Sequence, residues 1–95
     1  MSYRIRFHDL VADDLFVIRQ YWEEELQASP DRILNLIFER IYRLPLFPYI
    51  CRQLEEYPSL RRMIVEDYVV LYQVDEEREA IKKLKLNTSI MDHGI

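Results

Sequence analysis

Apolar residues recur along this chain with two different periods, and the changes of period mark out its elements. Tyr3, Ile5 and Phe7 alternate with Arg4, Arg6 and His8, the period-two pattern of a half-buried strand. From Asp9, a candidate N-cap, the period lengthens. Val11, Leu15, Ile18, Trp22 and Leu26 then recur at helical spacing, which predicts a helix reaching about Gln27. Asp13 and Asp14 suit the positive end of its dipole. Glu23, Glu24 and Glu25 near its other end do not, and read as a solvated patch or a contact for a basic partner. Ser29-Pro30 opens a second helix: serine can accept from free amides, and proline is tolerated at the first helical position. That helix runs to about Leu44, burying Ile33, Ile37, Ile41 and Leu44, with Leu34, Phe38 and Tyr42 on an adjacent face. The connection of about three residues between the helices requires an antiparallel hairpin. Pro45 and Pro48 end it, and residues 47–51 form an apolar linker.

Period two returns between Leu60 and Leu86. Three segments occupy this stretch: Leu60-Arg61-Arg62-Met63-Ile64-Val65-Glu66, Tyr68-Val69-Val70-Leu71-Tyr72-Gln73-Val74 and Ala80-Ile81-Lys82-Lys83-Leu84-Lys85-Leu86. The short gaps between them require an antiparallel meander. The middle segment is apolar on both faces, as expected of a central strand. The third breaks phase between Ile81 and Leu84, which predicts a bulge or a later strand start. The expectation is an α+β domain in the order βααβββ, a helix hairpin packed on a small antiparallel sheet, filling residues 1–95 with 88–95 as a flexible tail.

Composition narrows this picture. Ninety-five residues supply one core, and 49% apolar content with seven Tyr, four Phe and one Trp makes the chain globular. A single cysteine, Cys51, leaves no intramolecular disulfide. No run approaches the roughly 20 apolar residues that span a bilayer. The chain opens directly on strand-like text, without a signal-peptide apolar region, so the expected compartment is the cytoplasm. The net charge is −4, without separation of sign. A domain that lives by gripping phosphates is usually basic, because counterion release drives such binding. Any basic surface here must be local, at Arg61-Arg62 or at Lys82, Lys83 and Lys85.

The chemical repertoire is narrow. Gly94 is the only glycine, so there is no glycine-rich phosphate loop. His8 and His93 have no partners spaced for metal binding or general-base work, and Cys51 reads as a small buried hydrophobe. No cofactor or metal is expected. Arg61 and Arg62 are adjacent in a strand and therefore point to opposite faces, so at most one can line a concave site. The three lysines read as protective charges on an edge strand, and Tyr68 and Tyr72 as core.

Several stretches together resemble the RelE/ParE superfamily of bacterial toxins from type II toxin–antitoxin modules. They are Tyr3-Arg4-Ile5-Arg6-Phe7, Ala12-Asp13-Asp14-Leu15 with Ile18 and Tyr21-Trp22, Leu44-Pro45-Leu46-Phe47-Pro48-Tyr49-Ile50-Cys51, and above all the text from Leu60 to Glu77. The resemblance covers roughly residues 3 to 86. It implies the βααβββ layout, a growth-inhibiting toxin of the plasmid-stabilisation type, and neutralisation by a cognate antitoxin whose tail wraps around the toxin. It also implies one of two actions: cutting mRNA in the ribosome, or poisoning DNA gyrase.

Ribosome-dependent cleavage needs a base for the 2′-hydroxyl, cations for the phosphate and an acid for the leaving oxygen. In the RelE-like nucleases an arginine follows the tyrosine of the central strand; here Val69 follows Tyr68. Their closing Gly-Arg-Arg-Asp-like segment corresponds to Thr88-Ser89-Ile90-Met91-Asp92, which keeps only the aspartate. Arg61, Arg62 and Lys85 are the basic candidates left for a catalytic role if the chain is a nuclease. The expected action is therefore ParE-like, by protein binding, with DNA gyrase as a candidate target. The alternatives are a RelE-like mRNA endonuclease and a degenerate member that keeps only antitoxin binding.

Overall fold

The structure, a computed structural model, describes residues 3–88. The expected tail lies outside the described residues beyond Thr88. The chain runs β1 (Arg4–Phe7), α1 (Val11–Gln20), a single π turn (Tyr21–Glu25), α2 (Asp31–Ile41), β2 (Arg52–Gln53), β3 (Arg61–Val65), β4 (Tyr68–Asp75) and β5 (Ala80–Thr88). Five strands form one sheet in the order β1-β5-β4-β3-β2. The α+β layout is as expected, with two differences in the sheet. It is mixed, because β1 pairs parallel with β5, and β2 adds a two-residue edge that no period-two pattern announced. Two residues are too few to show a period.

The parallel pairing corrects the reading of the lysines. β5 lies between β1 and β4 and is not an edge strand. Sequence proximity placed it last in the meander, but a strand from the start of the chain, with Arg4 opposite Ala80, covers its other side.

The phase break is a bulge. Opposite Tyr72, β5 spends two residues, Lys83 and Leu84, so the register passes from Gln73↔Lys82 to Leu71↔Lys85. Lys83 sits at φ 58°, and β1 shifts in step between Ile5 and Phe7. The extra residue turns Leu84 and Leu86 onto the same face as Ile81. All three are buried with Val70, Tyr72, Met63 and Val65 against Ile18, Ile33, Ile37 and Ile41 of the helices. β4 is the central strand, and Tyr68, Val69, Val70 and Tyr72 are buried across both of its faces.

Both helices start slightly differently from expectation. Asp9 does not cap α1: Leu10 holds the N-cap position without a side-chain cap, and His8 Nδ1 accepts from the Leu10 amide at 3.0 Å. Ser29 Oγ accepts from the Asp31 amide at 3.2 Å, with buried Pro30 between them. After Gln20 the first helix widens into the π turn, and the Leu26 amide bonds back to the Tyr21 carbonyl. Within that turn Trp22 Nε1 donates to Tyr68 Oη at 2.7 Å, tying the helix end to the start of β4.

Because the chain holds one glycine, its tight turns use other residues at positive φ: Gln27, Glu66 and Glu79. Glu66 opens the two-residue β3–β4 turn, where glycine is the usual choice. A two-pronged contact from Arg32 of α2, at 3.0 and 3.1 Å, holds it there. In the β4–β5 turn Asp75 receives Lys82 at 3.1 Å and Arg78 at 3.2 Å. The Arg32 hydrogen bond holds the Glu66 carboxyl below the usual carboxylate range, and Lys82, then Arg78, do the same for Asp75. A carboxyl depressed on folding contributes stability that is complete above its unfolded value, about 4, and disappears as pH falls through its folded value. Denaturant midpoints measured against pH should therefore stay level above about pH 5 and fall below it. In Glu66→Gln and Asp75→Asn the neutral-pH midpoint should be lower and the acid fall shallower; an unchanged profile would contradict these two pairings.

Candidate functional site

The three basic residues singled out in the sequence are not brought together. Arg61 lies on the helix-facing side of β3, in phase with Met63 and Val65. Its guanidinium donates to the Cys51 carbonyl at 2.6 Å and lies 4.9 Å from the centre of the Tyr49 ring. The linker of residues 47–51 is thus strapped to the end of the sheet from one side. From the other side Tyr72 Oη donates to the Pro48 carbonyl at 3.1 Å. Burial pushes the Tyr72 hydroxyl well above the usual phenol range, so it stays a neutral donor. Tyr49 is pushed up to about 12, first by lost hydration and then by Glu76 and Tyr3.

Arg62 and Lys85 occupy the opposite, open face of the sheet. Arg62 pairs with Leu71, and Leu71 with Lys85, so the two cations share one row with Leu71 between them. Their backbones are about 10 Å apart, two strand spacings. Arg52 extends the row beyond Arg62. Lys85, however, is engaged: its Nζ lies 3.3 Å from Asp14 Oδ1. The other Asp14 oxygen accepts from the Leu86 amide at 3.1 Å. That carboxylate therefore satisfies the edge of β5 beyond the end of β1 and fastens α1 to the sheet. Nothing local could have shown it, because the partners are 72 residues apart; Asp14 reads equally well as a dipole residue.

Val69, where the nuclease pattern has arginine, lies on the same open face between Ile64 and Asn87 and is only 3% exposed. His8 Nδ1 accepts from the Leu10 amide, and His93 lies outside the described residues. Among the described residues no three His, Cys, Asp or Glu side chains are grouped as metal ligands. None of the described helices is long and apolar enough to cross a membrane.

The sequence model of the ParE toxin of the type II toxin–antitoxin system parDE matches residues 5–87. The chain belongs to this family. It is a toxin of the RelE/ParE superfamily of type II modules. No curated protein matches the sequence. Among solved structures the ParE-family fold seen here is similar to the toxin–antitoxin complex RelBE2 from Mycobacterium tuberculosis, with TM-score 0.71 and 22% identity over 93% of this chain and 99% of that one. It is also similar to a doubly substituted E. coli RelE in the free state, with TM-score 0.65 and 14% identity over 98% of this chain and 90% of the other. The same E. coli protein bound to an antitoxin RelB peptide matches with TM-score 0.61 and 16% identity over 100% and 96%. At these identities the likeness is one of fold.

The contacts of Arg61 predict a structural residue. Arg61→Ala should lower unfolding stability by about 1–3 kcal/mol, because two carbonyls of the linker lose a charged donor. Arg62→Ala, on the exposed face, should change it by less than about 0.5 kcal/mol. Urea unfolding of the two variants measures the difference; equal losses would refute the assignment.

Proposed function

We propose that this toxin acts in the cytoplasm by gripping a protein, with DNA gyrase as its target, and that a cognate antitoxin neutralises it. The observation that carries this reading is the fate of the cations. Val69 replaces one with a buried apolar side chain, Arg61 is spent on the linker carbonyls, and Lys85 is spent on Asp14. A phosphoryl transition state deprived of positioned charge loses orders of magnitude in rate. Inhibition by binding needs only a complementary surface, and an acidic chain can supply one. The antitoxin partner is supported by the family and by similar folds solved as toxin–antitoxin complexes.

One observation favours a second reading, a ribosome-dependent mRNA endonuclease. Arg62 and Lys85 do share a row on the open face, with Arg52 beyond, and substrate could draw Lys85 away from Asp14. Two assays on the purified toxin separate the readings. Inhibited supercoiling by gyrase with intact mRNA in a translation reaction is the expected result. Cleaved mRNA that becomes intact in Arg62→Ala or Lys85→Ala would establish the endonuclease instead. Neither effect, with antitoxin binding retained, would leave the degenerate reading.

A further inference from the structure

Charge that is evenly spread along this chain is divided between the two faces of its sheet. Strand alternation and cross-strand register put Arg4 and Arg6 of β1, Lys82 and Lys85 of β5, Arg62 of β3 and Arg52 of β2 on the open face. Lys83, exposed at the bulge, adds a seventh cation, so that more than half of the thirteen lysines and arginines gather here. Asp75 is the one carboxylate on the five strands, and Asp14 of α1 meets the face at Lys85. Those two neutralise Lys82 and Lys85. Arg4, Arg6, Lys83, Arg52 and Arg62 have no ion pair among the described residues.

The cations form a line across the sheet. Arg6 lies beside the Lys82–Lys83 step of β5, Lys85 follows on the same strand, and the row Lys85, Leu71, Arg62, Arg52 carries the line to the far edge. Four strand spacings separate β1 from β2, about 19 Å. At the β2 end the line opens into a cleft that Arg40 and Arg43, at the end of α2, also border. Exposed acids such as Glu23, Glu24, Asp31 and Glu39 belong to the helices and the π turn, behind the core. Charges more than about 8 Å apart are largely screened at physiological salt, so the net charge of −4 does little to cancel this face. A line of guanidinium and ammonium groups matches a line of phosphates. What the face lacks decides which nucleic acid. Phe7, Tyr68 and Tyr72 are the only aromatic residues on the strands, and all turn to the helices: Phe7 against Phe38, Tyr68 and Tyr72 into the core. No ring is left on which an unstacked base could lie, the usual means of holding single-stranded RNA. Cations without stacking platforms suit the regular backbone of a duplex.

We propose that the open face is a track for the phosphate backbone of duplex DNA. Arg4, Arg6 and Lys83 hold the backbone at one end and Arg52 and Arg62 at the other, without reading base sequence. The proposal extends the gyrase reading above, whose target itself holds duplex DNA, but DNA binding is measured without gyrase and the two can fail separately.

The test titrates the full purified toxin into a fluorescent DNA duplex of about 24 base pairs and reads anisotropy at several salt concentrations. Five unpaired cations, at about −0.9 per phosphate, predict a slope of about −4 for log affinity against log salt. The pair Arg4→Glu and Arg6→Glu, and the pair Arg52→Glu and Arg62→Glu, should each weaken binding at least about tenfold and make the slope shallower by about 2. Arg19→Glu, on the exposed side of α1, should change affinity less than about twofold. Unfolding midpoints verify that each variant is folded. Single-stranded and duplex RNA of the same sequence should bind at least about fivefold more weakly than the DNA. A duplex that fails to bind wild type, a slope shallower than about −1, an equal loss in Arg19→Glu, or RNA that binds as tightly as the DNA would overturn the proposal. Supercoiling by gyrase is measured in parallel. Inhibition without duplex binding removes the proposal and leaves the gyrase reading; duplex binding without inhibition does the reverse.

Discussion

The extra residue in β5 is the constraint on which the rest of the fold depends. An unbroken period-two strand would put Ile81 on one face and Leu84 and Leu86 on the other. By placing Lys83 and Leu84 opposite Tyr72 alone, the strand turns all three apolar side chains toward the helices. The same step leaves Lys82 able to reach Asp75 and puts Lys85 on the open face, within reach of Asp14. β1 follows the shift along the other edge of β5. Core, turn and helix anchorage are therefore linked through one irregularity in one strand.

A second theme is how the chain spends its charge. Arg32 braces a turn that lacks glycine, Arg61 straps the linker, Lys82 closes a hairpin and Lys85 meets α1. Arg32 and Lys85 connect elements distant in sequence, and all four cations are engaged within the fold. Among the described residues, Arg40, Arg52 and Arg62 have no ion pair.

The similarity to solved toxins shows what such a fold requires. TM-scores of 0.61 to 0.71 accompany identities of only 14 to 22%. What must persist is the alternation of apolar positions and the turn geometry, which many side-chain sets satisfy. Fold and site chemistry are separable, and Val69, 3% exposed, brings no charge to its face of the sheet.

The sequence alone determined the order of the longer elements, the two helix faces and the central place of β4, and it marked the phase break in β5 as a bulge or a later strand start, because each is written in local period and in the phase of apolar residues. It also determined that Arg61 and Arg62 part company, since neighbours in a strand must face opposite ways. Only the tertiary structure decided that β5 is flanked by a parallel β1 and that Asp14 holds both Lys85 and the Leu86 amide. Those outcomes depend on which of several chemically adequate partners comes within 3.3 Å, and residues 71 or 72 positions apart carry no local mark of having met. The gathering of Arg40, Arg43, Arg52 and Arg62 is of the same kind. Four arginines scattered over a helix, a linker and two strands become one surface only when the sheet edge and the end of α2 are folded side by side.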